Sequence, residues 1–330
     1  MTSPRAVPFA AAPLLVAILA AVALAACSFT STTAVPTASA SPVPTATARP
    51  TATPSPTPVP TPVPTPTPTP IPLDEGLLNE RLTVLIAGTD SNPDRASRGM
   101  DVNTDAMIVA SIDSTHRQLS LVGLPRDTVD LVMPDGSIWP GKSNGIMQTL
   151  GIEALRSALS ATYGVQIDYY LALSMADFGQ IIMALDGIEL DIPQAVYDPK
   201  IGLDLAAGYQ RLNHNDAGRY VRTRFDTDYG RALRQQEVLT AIIAKLVNPQ
   251  TDVDVVVLAG ALGSLQTDIP FDTIPTLIEV ARRSLDAEVS TAVLGPPRFA
   301  LFEGFDGPRG WVMIPNVPEM RAYVQAVMDN

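Results

Sequence analysis

The sequence predicts an α/β fold in which helices cover both faces of a β-sheet, giving three layers. Short apolar runs of strand length alternate with stretches whose apolar residues recur at helical spacing, from residue 82 to near the end of the chain. Interleaved strands and helices pack most economically as a sheet between two helical layers. The 258 residues from position 73 onward are enough for one domain of this kind.

The elements follow from local patterns taken in chain order. Strands are predicted at residues 82–87, 106–112, 118–124 and 128–133, the last ending at the turn signal Pro134-Asp135-Gly136. A helix is predicted at 145–162, where apolar residues are spaced for one helical face. The remaining predictions are strands at 169–173, 188–192 and 289–294, and helices at 175–185, 231–246 and 318–328.

The first 27 residues have the pattern of an export signal. Arg5 precedes an uncharged, Ala/Leu/Val-rich run at 6–26, and Leu24-Ala25-Ala26-Cys27 resembles the lipobox at which bacterial lipoproteins are cleaved and acylated. Cys27 is the only cysteine, and the sequence turns polar directly after it. The alternative is an uncleaved transmembrane helix, for which about 20 apolar residues suffice. Both predict a domain tethered at the extracytoplasmic face of the cell membrane.

Residues 28–72 form a Pro/Thr/Ser/Ala tract that ends in Thr-Pro repeats. Proline fixes φ and removes backbone donors, so the tract favours neither helix nor sheet. A polyproline II spacer of 45 residues, at about 3.1 Å per residue, reaches roughly 140 Å when fully extended. The predicted organisation is therefore signal peptide with lipobox (1–27), linker (28–72) and folded domain (73–330).

Charge and cysteine content exclude several classes of function. All 34 acidic residues and 20 of the 22 basic ones lie from residue 73 onward, a balance of −14 that disfavours nucleic-acid binding. The folded region has no cysteine, and so neither a thiolate metal site nor a catalytic thiol. Its two histidines, His116 in a predicted solvated turn and His214 at a loop-to-helix junction, give little support to a Ser-His-Asp triad or zinc site.

Arginine is concentrated in one short segment of this acidic domain. Six arginines fall within 24 positions: Arg211, Arg219, Arg222, Arg224, Arg231 and Arg234. Guanidinium groups match phosphate oxygens bidentately, so the segment is a candidate anion site. A solvated face with ion pairs to neighbouring aspartates is the alternative, and composition alone does not separate the two. Spacing favours convergence, because Arg222 and Arg224 share a face of an extended segment, and Arg231 and Gln235 a face of a helix.

Further polar side chains fall where predicted strands end. Asp90 follows the first strand, Asp105 opens the second, and Arg126 and Asp127 follow the third. Ligands of open α/β sheets collect where strands end and loops begin. Two carboxylates with several arginines suit a hard divalent cation that bridges phosphate oxygens.

At these residues the sequence resembles the LytR–CpsA–Psr family over nearly all of residues 82–328. The resemblance is carried by several motifs in the same order: Leu-Ile-Ala-Gly-Thr-Asp (85–90), Asn-Thr-Asp-Ala-Met-Ile (103–108), Gly-Leu-Pro-Arg-Asp-Thr (123–128), Gly-Lys-Ser-Asn (141–144), Ile-Asp-Tyr-Tyr (167–170), Leu-Asp-Gly-Ile-Glu-Leu-Asp-Ile-Pro (185–193), Tyr-Val-Arg-Thr-Arg (220–224) and Asp-Tyr-Gly-Arg-Ala-Leu-Arg-Gln-Gln (228–236).

The resemblance implies an α/β/α sandwich with a central mixed sheet and a phosphotransferase acting on polyprenyl-diphosphate-linked glycopolymers. Such an enzyme moves the polymer to a sugar hydroxyl of peptidoglycan and releases polyprenyl phosphate, with Mg²⁺ (or Mn²⁺) at the diphosphate. It also implies a long apolar tunnel for the lipid. Candidate lining residues are Met147, Leu150, Leu155, Leu159, Leu173, Phe178, Ile181, Ile182, Leu239 and Ile242, although each is more often ordinary core.

Matching motif positions then assign the site. By this resemblance Asp90 and Asp105 are the acidic residues at the metal, and Asp228 orients an arginine. The catalytic set comprises Asp90, Asp105, Arg126, Arg222 and Arg224. The diphosphate-binding set comprises Arg126, Lys142, Arg222, Arg224, Arg231 and Gln235. Which carboxylate deprotonates the acceptor hydroxyl stays open, with Asp90 preferred.

The sequence departs from the family pattern at two positions near the site. Asn103 stands where an arginine is usual, which removes one charge from the diphosphate site; Arg98 is a possible substitute. Gly123 stands where serine is common. Two further functions therefore stay open: a hydrolase that uses water as acceptor, and a non-catalytic binder of the lipid-linked glycan. Regulation of transcription conflicts with the export signal.

Overall fold

The computed structural model describes residues 72–91, 103–247, 260, 263 and 265–328. The signal peptide, Cys27, the linker up to residue 71 and Arg98 lie outside the described residues. The helices are α1 (Glu75–Asn79), α2 (Ile146–Leu150), α3 (Ile152–Tyr163), α4 (Met175–Ala184), α5 (His214–Tyr220), α6 (Asp228–Val247), α7 (Ile274–Arg283) and α8 (Val317–Met328). The strands are β1 (Leu82–Thr89), β2 (Thr104–Ile112), β3 (Gln118–Gly123), β4 (Tyr169–Ser174), β5 (Ile188–Ile192), β6 (Val196–Asp198), β7 (Leu203–Leu205), β8 (Gly208–Leu212), β9 (Gln266–Thr267), β10 (Glu288–Val293), β11 (Ala300–Phe305) and β12 (Trp311–Pro315).

A six-stranded mixed sheet forms the centre of the fold, with strand order β10-β3-β2-β1-β4-β9. The β1–β4 and β10–β3 pairs are parallel, whereas β1–β2, β2–β3 and β4–β9 are antiparallel. Three two-stranded sheets accompany it: β5–β8, β6–β7 and β11–β12.

Alternation along the central strands divides the core into two halves. Val84 and Ile86 join a cluster with residues of α4, α5, α6 and α7, while Leu85 and Ala87 join a second cluster with residues of α3 and α8. Successive strand side chains point to opposite faces, so helices cover both sides of the sheet. The predicted three-layer α/β/α sandwich with a central mixed sheet is confirmed.

The two core halves correct the predicted lipid tunnel. Met147, Leu155 and Leu159 belong to the α3/α8 side. The predicted lining residues from 173 to 242 belong to the opposite side of the sheet. A single lipid channel on one side of the sheet can therefore be lined by only one of these two groups of residues.

Two predicted elements differ from the structure. The helix at 145–162 is divided into α2 and α3 by Gly151, whose φ of +90° is a conformation that L side chains rarely adopt. Residues 128–133 form isolated bridges in place of a strand, through Thr128, Val129 and Val132. In addition, His116 is buried (6% exposed) at a positive φ, so its prediction as a solvated residue was wrong.

No helix within the described part of the chain is long and apolar enough to cross a membrane.

Candidate active site

The predicted strand-end residues lie at one edge of the sheet. Thr89 at the end of β1 is paired with Thr104 at the start of β2, and Gly123 at the end of β3 is paired with Ile108 in the middle of β2. Asp90 closes this edge: its backbone N–H donates to the Asn103 carbonyl (3.0 Å), and its Oδ1 accepts from the Asn103 N–H (2.9 Å). Asn103 therefore holds the loop by its backbone.

Two arginines form the floor of the site. Arg126, in the loop after β3, donates through Nη1 to Asp105 Oδ1 (2.8 Å), and its Nε lies 4.0 Å from Asp228 Oδ1. Arg231, on the first turns of α6, reaches the same two aspartates at 3.6 Å and 3.3 Å, with its side chain only 3% exposed. Both carboxylates thus lie as counter-ions between the two guanidinium groups.

Two more cations stand at the rim. Lys142 donates to Asp127 Oδ1 (2.6 Å), and Arg224 lies 3.4 Å from Asp228 Oδ1. Their side chains are 29% and 46% exposed, against 16% for Arg126. We call this set the cationic cluster; it comprises Arg126, Lys142, Arg224 and Arg231 with the carboxylates of Asp105, Asp127 and Asp228.

The electrostatics of the cationic cluster oppose those of the whole chain. Four cations and three carboxylates give it a formal charge of +1 within a chain of charge −12. Burial opposes ionisation of Arg126, but Asp105, Asp127 and Asp228 outweigh it and raise the pKa of that guanidinium. Burial likewise works against the Asp127 carboxylate, but Lys142 and Arg126 lower its pKa. Arg126 and Asp127 therefore stay ionised at neutral pH.

Two N–H donors of the cationic cluster have no hydrogen-bond acceptor within the described residues. Among the described residues, Nε of Arg126 and Nε of Arg231 are buried and make no hydrogen bond. A guanidinium group has five N–H donors, and buried polar atoms nearly always have partners. Such donors beside a positive cluster are suited to an anionic ligand.

Gln235 and Arg222 are placed differently from the other predicted ligands. Gln235 Nε2 donates to the carbonyls of Asp105 (3.3 Å) and Val221 (3.5 Å), so it braces β2 against the arginine-bearing loop. Arg222 is exposed, and its Nε donates to the Gly218 carbonyl (2.8 Å). Within the described residues it makes no hydrogen bond or ion pair with a member of the cationic cluster. Its role at the diphosphate stays a prediction.

A third buried arginine has a structural role. Arg234 donates to the carbonyls of Tyr220 (3.2 Å) and Thr223 (2.7 Å) and makes two bonds of 3.0 Å to Asp226. Its guanidinium also stacks over the rings of Tyr220 and Phe225. It therefore fixes the loop that carries Arg222 and Arg224, which explains part of the arginine concentration without a ligand.

The predicted divalent cation would need oxygen ligands from the protein. No group of three or more His, Cys, Asp or Glu side chains that could hold a metal occurs in the described part of the chain. Mg²⁺, however, commonly takes one or two carboxylates together with substrate phosphates. Asp105 retains lone pairs beyond its two arginine contacts, and Asp90 lies at the same edge. These two residues fit an ion completed by a phosphate ligand.

Gly123 lies against a buried amide. A Cβ there would come 2.8 Å from Nε2 of Gln236, which donates to the Ala292 carbonyl at 2.7 Å. Glycine at position 123 thus leaves room for the Gln236 amide, which links α6 to the β3–β10 strand pair.

A pH-dependent contribution to stability is expected from Glu237. This side chain accepts a hydrogen bond from the Tyr220 hydroxyl (2.7 Å), and burial raises its pKa above the ordinary value. The folded state therefore binds the proton more tightly than the unfolded state, and stability falls as pH rises through the folded pKa. Glu237→Gln keeps an acceptor without the charge. Denaturant unfolding should show the variant gaining stability relative to wild type at pH 8 more than at pH 5; an equal difference at both would contradict this assignment.

The α/β/α fold places a cationic cluster at the strand ends, an arrangement that suits a phosphorylated ligand. The LytR_cpsA_psr family model matches residues 61–295. The chain belongs to this family, as the motifs predicted; the match begins inside the predicted linker.

Similar proteins include "Probable cell wall biosynthesis protein LcpB" of Corynebacterium glutamicum, 29% identical over 168 residues that make up 49% of this chain and 40% of LcpB. The first curated relatives, from Staphylococcus aureus, are matched over 42% and 57% of their own length. Among solved structures, Bacillus subtilis TagV is 21% identical with a TM-score of 0.61, covering 76% of this chain and 98% of TagV. TagT bound to LI-WTA is 19% identical with a TM-score of 0.59, covering 78% and 94%. At these identities the structures share the fold.

Proposed function

We propose that this protein is a cell-envelope phosphotransferase that moves a polyprenyl-diphosphate-linked glycopolymer to a sugar hydroxyl of peptidoglycan. The observation that carries the proposal is the cationic cluster, in which the buried Nε donors of Arg126 and Arg231 make no hydrogen bond within the described residues and the formal charge is positive. Family membership and the fold shared with TagT, whose solved structure is described as bound to LI-WTA, support a lipid-linked glycopolymer as the donor.

In the proposed reaction, the acceptor hydroxyl oxygen attacks the phosphorus that bears the glycan. The bond from that phosphorus to the bridging oxygen breaks, polyprenyl phosphate leaves, and the hydroxyl proton passes to a base, for which Asp90 is our candidate. Positioning and neutralisation of charge dominate reactions of this kind. Arg126 and Arg231 stabilise charge at the floor, and Arg224 and Lys142 do so at the rim. A divalent cation held by Asp90 and Asp105 would add to this neutralisation when bound.

We also propose that Cys27 carries the lipid anchor and that residues 28–72 span the distance to the wall. Labelled palmitate should enter the full chain but not a Cys27→Ser variant. Membrane retention without label would favour an N-terminal transmembrane helix instead.

One assay separates the three functions that the sequence leaves open. The full chain is incubated with a polyprenyl-diphosphate glycan, Mg²⁺ and soluble peptidoglycan fragments. We expect glycopolymer attached to the fragments. Free glycan phosphate would identify a hydrolase, and tightly bound but unchanged lipid would identify a binder; either result would overturn the proposal.

A further inference from the structure

The β11–β12 hairpin presents an exposed aromatic face. Glu303 is paired with Met313 and Phe305 with Trp311, and paired residues of antiparallel strands share a face. Met313 is buried in the core at one end of this face, and the other three side chains are exposed. Trp311 is 57% exposed and Phe305 is 72% exposed. Solvent-exposed aromatic groups gathered on one face are typical of a binding surface.

Backbone hydrogen bonds fix this hairpin to the loop after β3. The Met313 N–H donates to the Asp127 carbonyl (3.0 Å), and the Val129 N–H donates to the Met313 carbonyl (3.0 Å). Asp127 belongs to the cationic cluster and follows Arg126 directly. The aromatic face is therefore held beside the phosphate site by ordered backbone.

A pocket of about 20 Å³, room for a water molecule only, lies between the two. Trp311 and Glu303 line its outer side, while Asp127, Asp228 and Tyr229 line the side nearest the cluster. The Tyr229 ring lies so close to Gly295 that a Cβ there would come within 2.5 Å of it. The backbone of residue 295 thus supports the ring in place.

The chemistry of the pocket differs from that of the cluster beside it. Of its three lining carboxylates, Asp127 and Asp228 are already paired with cations of the cluster, so Glu303 is the acidic group that the hairpin adds. An exposed indole with carboxylate acceptors suits a neutral ligand with apolar C–H faces and hydroxyl donors, and is unfavourable for a second phosphate. A sugar ring has both properties.

We infer that the exposed surface at the mouth of this pocket is the subsite for the acceptor sugar, whose ring stacks on Trp311 and donates a hydroxyl hydrogen bond to Glu303. The inference rests on the proposed function, because it places the attacking sugar beside the diphosphate held by the cationic cluster. Trp311 and Glu303 act as positioning and specificity residues for the acceptor.

The test uses the full chain as wild type, Trp311→Ala and Glu303→Gln. Phe302→Ala is the matched control, because Phe302 is exposed on the same hairpin but on the opposite face. Initial rates are measured against soluble peptidoglycan fragment at saturating donor, and against donor at saturating fragment. We expect the acceptor KM to rise at least tenfold in Trp311→Ala and severalfold in Glu303→Gln. The donor KM should stay within twofold throughout, and the control should match wild type.

An unchanged acceptor KM in Trp311→Ala would overturn the inference, as would a rise in donor KM alone, which would assign the pocket to the donor glycan. Calorimetric titration of the fragment without donor separates this outcome from failure of the proposed function. Wild type and Phe302→Ala should bind the fragment and Trp311→Ala should not, whether or not transfer occurs. Equal binding by all three proteins, or no binding by wild type, would show that Trp311 does not form an acceptor subsite.

Discussion

Arg126→Ala is expected to reduce kcat/KM for glycopolymer transfer by about 10²–10⁴-fold. Arg126 lies on the floor of the cationic cluster, bonded to Asp105, with an Nε that is free of hydrogen bonds within the described residues. Two charge-assisted hydrogen bonds to a diphosphate, at about 1.5–3 kcal/mol each, account for a loss of that size. Initial-rate measurements with a saturable lipid-linked donor provide the readout.

The control for this variant is Arg219→Ala. Arg219 lies in the same arginine-rich segment, but its side chain is 38% exposed and its ion pair is with Asp216, one turn earlier on α5. Its removal should leave transfer within twofold of wild type. Arg126→Lys keeps the charge but loses the planar fork, so it should fall between the two. Equal losses in the alanine variants at 126 and 219 would indicate a general charge effect and not a site.

Arg234→Ala is expected to lower the free energy of unfolding by about 2–6 kcal/mol, because it leaves the carbonyls of the buried residues Tyr220 and Thr223 without their shared donor, at about 1–3 kcal/mol each. Burial would raise the pKa of Asp226, but Arg234 lowers it, and the variant loses that effect. Denaturant unfolding at pH 7 measures the change.

Arg282→Ala serves as its counterpart. Arg282 makes a two-bond ion pair with Glu279 on the surface of α7, where its side chain is 68% exposed. Exposed pairs of this kind contribute little to stability. A drop as large as that of Arg234→Ala would contradict the view that burial decides the effect.

The fold was largely predictable because its strands and helices carry clear periodicities. Leu82–Thr89 and Asp228–Val247 were found to within a few residues by apolar patterning alone. The two-stranded sheets were harder to predict from the sequence. The β11–β12 hairpin carries exposed aromatic side chains, so its strands lack the apolar alternation that marks a half-buried strand. Residues 128–133 have strand composition, but their partners come from distant segments as single bridges.

The site was predictable in composition but not in arrangement. Motif positions identified Arg126, Arg224 and Arg231, and the structure brings these three together around Asp228. The resemblance selected Arg231 and not Arg234, whereas composition and spacing alone did not separate them, since both lie on α6 and packing decides which one braces the loop. The ion pair between Lys142 and Asp127 was not predicted, although both residues lie in family motifs. They are 15 positions apart in the sequence, and only the fold brings them together.

Trp311 and Glu303 carried no signal in the sequence. They are neighbours of the site only because the hairpin is hydrogen-bonded to the loop after β3.

The central claim is that the cationic cluster binds a diphosphate headgroup. Calorimetric titration of the full chain with farnesyl diphosphate, in the presence of Mg²⁺, tests it most directly, with farnesyl monophosphate as the comparison ligand. We expect saturable binding of the diphosphate by wild type and Arg219→Ala, weaker binding of the monophosphate, and at least a hundredfold loss of affinity in Arg126→Ala. Equal affinity of wild type and Arg126→Ala for the diphosphate would contradict the account.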